Sequence, residues 1–130
     1  MIVDTSALVA ICLNEPERAV FLEALLAAPR VSMSSASWLE AAVVLDAIHD
    51  PVVSRRLDEV VALLRIEIVP VTFEEAQVAR SAYADFGKGS GHPARLNFGD
   101  AFSYALATVA REPLLFKGDD FNQTDVTPAV

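Results

Sequence analysis

An α/β domain built on a largely parallel sheet is predicted by three observations. Short apolar, β-favouring segments alternate with longer stretches of helical periodicity. The 130 residues, 53% of them apolar, are enough for one core and one domain spanning 1–130. No repeat, linker or low-complexity tract interrupts them, and the nearest thing to a flexible stretch is Lys88-Gly89-Ser90-Gly91-His92-Pro93.

The elements follow in order. Ile2–Val3 is the first expected strand, and Asp4, Thr5 and Ser6 after it all suit the start of a helix. Asn14 stands three residues before Glu17 with Pro16 between them, the spacing of a capped helix start. Val20, Phe21, Ala24, Leu25 and Ala28 then recur at helical spacing. A strand at Val31–Met33 leads into a helix over Ser35–His49. Pro51 opens a helix over Val52–Leu64, whose Val53, Leu57, Val60, Val61 and Leu64 stripe faces a core. Arg55, Arg56, Asp58 and Glu59 lie outside that stripe. A third strand is expected at Ile66–Val69. Thr72 and Glu75 form a capping-box pattern ahead of the stripe Ala76, Ala79, Tyr83 and Phe86. The last helix covers Phe98–Arg111 and the last strand Leu114–Phe116. All four strands are short and apolar on both sides, as expected under two layers of helices.

Charge and cysteine content narrow the function classes. The balance is 10 − 18 = −8 with no long run of either sign, which excludes a generic basic nucleic-acid sleeve. The apolar content excludes disorder. The single cysteine, Cys12, cannot close an internal disulfide, and it reads as a core thiol in a reducing cytoplasm. No basic segment precedes the first apolar stretch, so no leader is expected, and no uncharged apolar run reaches a membrane-spanning length. The expectation is a cytoplasmic, acidic single domain.

Five acids at four places stand where solvated acids usually do not. Asp4 ends the first strand, where side chains enter the crevice that binds ligands in parallel α/β sheets; capping the next helix is its plainer role. Glu40 lies mid-helix between Ala36 and Val44, where a buried carboxylate needs a cation or a hydrogen-bond partner; a partly exposed face or a basic partner is its plainer reading. Asp100 opens the last helix, where the dipole alone would favour it. Asp119 and Asp120 follow the last strand, where turns favour acids. Converging carboxylates repel one another and persist mainly where a cation binds. An oxygen-only set points to Mg²⁺ or Mn²⁺ rather than Zn²⁺. His49 and His92 lack zinc-motif spacing, and neither a nucleophile elbow nor a phosphate-binding glycine loop is present.

Taken in order, these segments resemble the PIN-domain ribonucleases, and specifically the VapC toxins of bacterial type II toxin–antitoxin pairs. The resemblance is carried by Met1-Ile2-Val3-Asp4-Thr5-Ser6-Ala7-Leu8 and Ser35-Ala36-Ser37-Trp38-Leu39-Glu40. Further along it continues through Gly89–Ala94, Leu96-Asn97-Phe98-Gly99-Asp100, Ser103–Ala107 and Pro113–Phe121. It runs from Met1 to about Val126. It implies a three-layer α/β/α fold around a mostly parallel sheet and an Mg²⁺-dependent endoribonuclease, with Mn²⁺ as a possible substitute. Asp4, Glu40 and Asp100 match the family's first three acidic positions, with Asp4 and Asp100 as metal holders. Asp120 matches the fourth, Asp119 being the neighbouring candidate, and Thr5 and Ser6 match residues that support the first acid. The resemblance also implies cleavage of cellular RNA, transfer RNA among the candidates, a VapB-like antitoxin and a homodimer. Trp38 and the high apolar content are compatible with such an interface, and Trp38 equally with the core.

Lys88, His92, Arg95 and Lys117 form a locally basic edge suited to phosphate contacts without sequence readout. Two other classes stand beside the enzyme. An inactive PIN-like metal-binding regulatory domain would lack cleavage despite its acids. A receiver-type phosphoacceptor would need a second acid beside the first strand, which Asp4 lacks.

Overall fold

Four strands, β1 (Ile2–Val3), β2 (Ser32–Ser34), β3 (Glu67–Val69) and β4 (Leu114–Leu115), form one sheet in the order β3-β2-β1-β4. All neighbours are parallel, in a computed structural model that describes residues 1–130. Ile2 pairs with Ser32 on one side and with Leu114 on the other, and Val3 pairs with Leu115. Because side chains alternate along a strand, adjacent residues enter different cores. Ile2 and Leu114 pack with Ala82, Leu96, Tyr104, Leu106 and Ala107. Val3, Met33 and Leu115 pack with Leu8, Ile11, Phe21, Leu25, Leu45 and Leu57.

The helices divide accordingly. On the Val3 face lie α1 (Thr5–Cys12), α2 (Arg18–Ala27), α3 (Ser35–Asp46) and α4 (Pro51–Leu63). On the Ile2 face lie α5 (Phe73–Phe86) and α6 (Phe98–Ala110). This is the three-layer α/β/α arrangement around a parallel sheet. No helix is long and apolar enough to cross a membrane.

Local chemistry sets most helix starts. Asp4, Ser34 and Asp50 each accept a bond from the amide two residues ahead, opening α1, α3 and α4. Thr72 accepts from the Glu75 amide at the start of α5, but the return bond of a capping box is not formed. The complete box is at α6, where Asn97 and Asp100 bond each other's amides.

Several expectations are corrected. Asn14 does not cap α2: it takes a left-handed backbone, φ 58°, in the turn that closes α1. The cap position falls to Glu17, whose carboxylate makes no cap bond and turns to Lys117 instead. Helix α3 stops at Asp46, short of the expected His49, which is left-handed in the turn that follows. The strands are not uniformly apolar. Ser32 and Ser34 are buried in β2, while β3 is the half-open edge. Phe116 has already left β4, and a 3₁₀ turn at Asp120–Gln123 follows.

Candidate active site

From β1 the chain moves outward to β2 and β3, then returns to the other side of β1 with β4. That reversal places a switch point between β1 and β4, where a parallel sheet opens a crevice at its carboxyl ends. Asp4 follows β1 directly and is 3% exposed. Asp120 lies beyond β4, Asp100 in the first turn of α6, and Glu40 in the second turn of α3.

Three of the four acids are held by their neighbours. Asp4 Oδ2 accepts from the Ser6 amide at 2.9 Å and from Ser6 Oγ at 2.5 Å. Ser6 Oγ in turn accepts from the Lys117 amide at 2.9 Å, which ties the end of β4 to the end of β1. Thr5 Oγ1 donates to Glu40 Oε2 at 2.8 Å and lies 3.0 Å from the Ser37 carbonyl, so one proton serves two acceptors. The Ser37 and Ser103 hydroxyls, 3.0 Å apart and buried, pin α3 to α6. Asp100 Oδ2 accepts from the Asn97 amide at 2.7 Å.

The charges of the four acids meet at Asp100. Burial pushes its carboxyl group up to about 7, against the lowering effect of the Asn97 amide, and the charges of Asp4, Asp120 and Glu40 add to the rise. Asp120, not Asp119, is the member of the pair whose charge reaches Asp100. Asp119 is exposed and accepts from Asn122 Nδ2 at 3.1 Å. The charges of Asp4, Glu40 and Asp120 reach Asp100, but no three acid, histidine or cysteine side chains lie close enough together to hold a metal ion as they stand.

The basic edge divides. Lys88 and Arg95 are exposed on a loop closed at its base by the Lys88 amide to Leu96 carbonyl and Leu96 amide to Phe86 carbonyl bonds, both 2.9 Å. His92 is half-buried, edge-on to Phe86, and its Nδ1 accepts from the Ala94 amide. Lys117 is committed elsewhere. Its ammonium bonds Glu15 at 2.5 Å and lies 3.2 Å from Glu17 Oε2, a pairing distance without hydrogen-bond alignment. Both acids hold the ammonium's pKa up. Asn97, Ser37 and Ser103 were absent from the expected site. The Asn-x-x-Asp spacing was a readable signal for Asn97, whereas the serine pair exists only through helix packing.

A PIN domain family model matches residues 1–126. The chain is 54% identical over its full length to the ribonuclease VapC28 of Mycobacterium tuberculosis, covering 98% of that protein. It is 48% identical to VapC42 of the same organism over 99% of this chain and 98% of the relative. Among solved structures, M. tuberculosis VapC20, described as a sarcin-ricin loop cleaving toxin, superposes with a TM-score of 0.76 at 17% identity, covering 97% and 95% of the two chains. A chain of a toxin–antitoxin complex from Klebsiella pneumoniae gives 0.68 at 22% identity, over 92% and 88%. At those identities the two structures speak to the fold.

Proposed function

The chain belongs to the PIN domain family and, within it, to the VapC ribonucleases, and on that premise we propose a specific role. It is the toxin of a type II toxin–antitoxin pair, an Mg²⁺-dependent endoribonuclease acting on cellular RNA, with transfer RNA a candidate target. The observation that carries this reading is that Asp4, Glu40 and Asp120, from three separate stretches of chain, all bear on the half-buried carboxyl group of Asp100.

The donor set fits a hard divalent cation: four carboxylates, with no thiolate or imidazole among them. Mg²⁺ takes one or two carboxylates and keeps several waters, so two of these acids suffice to hold it. Asp4 and Asp100 would hold Mg²⁺, or Mn²⁺ in its place. The ion would supply charge that lowers the pKa of a water and offsets that of the phosphodiester. Ser6 fixes the Asp4 rotamer and Thr5 fixes Glu40, as supporting bonds do around metal-binding carboxylates. Glu40 and Asp120 would complete the ion's surroundings or position the attacking water. The net charge of −8 leaves phosphate contacts to Lys88 and Arg95, with His92 half-buried beside them and Lys117 already paired.

The partners in this reading are RNA, a VapB-like antitoxin and a second copy of the chain. Leu39, Val43 and Ile48 on or just beyond α3, and Phe73 and Phe98 on the other layer, are exposed apolar side chains that support protein contacts. The experiment is induction of this chain alone in bacteria. Growth arrest that Glu40→Gln relieves, at equal soluble protein, is the expected result. Growth unaffected by the parent protein would favour an inactive metal-binding regulatory domain instead.

A further inference from the structure

Gly99 is the second residue of α6, and its backbone is outside the left-handed region that calls for glycine elsewhere in this chain, at Gly89, Gly91 and Gly118. Helix propensity favours alanine over glycine, so α6 itself does not ask for it. What a side chain at this position would displace is the carboxylate of Glu40. A Cβ there would lie 2.4 Å from Glu40 Oε1, 2.5 Å from Oε2 and 2.6 Å from the carboxyl carbon, far inside contact distance. Those three nearest atoms all belong to the Glu40 side chain. The Glu40 carboxylate is therefore what a side chain at residue 99 meets first.

We propose that Gly99 is a positioning residue for the acidic site: its bare backbone lets the Glu40 carboxylate lie against the first turn of α6, one residue from Asp100. The inference rests on the ribonuclease reading and deepens it. Glu40 is also held by Thr5 Oγ1, which donates to its Oε2 at 2.8 Å. The carboxylate thus lies between two constraints, the hydroxyl from α1 and the Gly99 backbone. The positive end of the α6 dipole lies alongside. A methyl group at residue 99 takes the carboxylate's place. Glu40 must then leave Thr5 or swing away from Asp100, while the fold around it has no reason to change.

The test compares the parent with Gly99→Ala, Glu40→Asp and the double variant. Three readouts are taken: kcat and KM on one RNA in Mg²⁺, unfolding temperature in EDTA, and the Mn²⁺ concentration giving half-maximal thermal stabilisation. For Gly99→Ala, kcat is expected to fall on the order of 10²-fold with KM little changed, as for an ångström-scale misplacement of a working group. Its unfolding temperature in EDTA should be no lower than the parent's, and its Mn²⁺ midpoint should rise. Aspartate at 40 is one methylene shorter and leaves room for the new methyl. The double variant should therefore be no slower than Glu40→Asp alone, a non-additive pair. Parent-like kcat and Mn²⁺ midpoint in Gly99→Ala would overturn the proposal. So would losses that multiply in the double variant, or a clear drop in stability in EDTA, which would mark ordinary packing. A parent protein that cuts no RNA would overturn the ribonuclease reading instead, and the Mn²⁺ midpoint would then decide the role of Gly99.

Discussion

Asp100 has two roles that pull in opposite directions. Its carboxylate completes the capping box with Asn97, which favours the charged form, while burial and three neighbouring acids favour the neutral one. The sum places its pKa at about 7 in the folded protein, against an ordinary 3.8. The folded state therefore holds its proton to higher pH than the unfolded chain does. The stability this contributes is present below about pH 4 and is lost as pH rises through about 7. In EDTA, urea denaturation should show the parent weakening from pH 5 to pH 8. Asp100→Asn, which keeps an oxygen to accept from the Asn97 amide, should show a shallower change. Parallel curves would mean that Asp100 carries no strained charge. Thr5→Val tests the neighbouring support: it removes the hydroxyl from Glu40 at a stability cost of about 1 kcal/mol. Its kcat should drop far more than that cost implies for the folded fraction. A Thr5→Val enzyme with the parent kcat would remove the hydroxyl from the catalytic apparatus. Asp4 and Asp100 were readable because strand ends and helix starts have sequence signatures. Glu40 was readable because an acid between Ala36 and Val44 lacks an obvious solvent face. The contact of Glu40 with Gly99 was not, because it depends on how α3 crosses α6.

Among the elements, the loop between α5 and α6 and the turn between α1 and α2 divide the basic residues between two jobs. Lys88 and Arg95 extend from a loop pinned at its base, whereas Lys117 bridges the end of β4 to Glu15 and Glu17. In the catalytically silenced Glu40→Gln background, replacing Lys88 and Arg95 by alanine should flatten the salt dependence of RNA affinity. Each phosphate left without its cation should reduce the slope by roughly 0.7–0.9 of a unit. Lys117→Ala should leave the slope unchanged, and equal slopes for both variants would show that RNA approaches from another side. The pairing of Lys117 spans 102 residues of sequence, so no local pattern announced it. The same limit explains Asn14. Its spacing from Glu17 matched a cap, but Glu17 is drawn toward Lys117 and the turn closes through a left-handed Asn14 instead. Strand positions were readable to about a residue. Their polarity was not: Ser32 and Ser34 are both buried in β2, and only the Ser34 hydroxyl has a visible job, accepting from the Ala36 amide at the start of α3.

Taken as a whole, the molecule brings acids 36, 60 and 20 positions apart in sequence (Asp4, Glu40, Asp100, Asp120) to one rim of a four-stranded sheet. The α/β class followed from alternating strand and helix patterns, and the three layers from the family resemblance. The strand order needed the structure, since sequence order alone does not say that β4 returns beside β1. Metal-free, this rim stores repulsion, so a divalent ion that binds the folded state should raise the unfolding temperature, by an amount that grows with its concentration over its dissociation constant. A rise of the same size in Asp4→Asn or Asp100→Asn would argue against ion binding at this rim. The decisive measurement is cleavage of purified bacterial RNA by the purified protein, in EDTA and in millimolar Mg²⁺, with Asp4→Asn and Asp100→Asn run beside the parent. Cleavage by the parent in Mg²⁺ alone, lost in both folded variants, is the expected result. Cleavage that survives EDTA, or that persists undiminished in both variants, would contradict a metal-dependent ribonuclease centred on these acids.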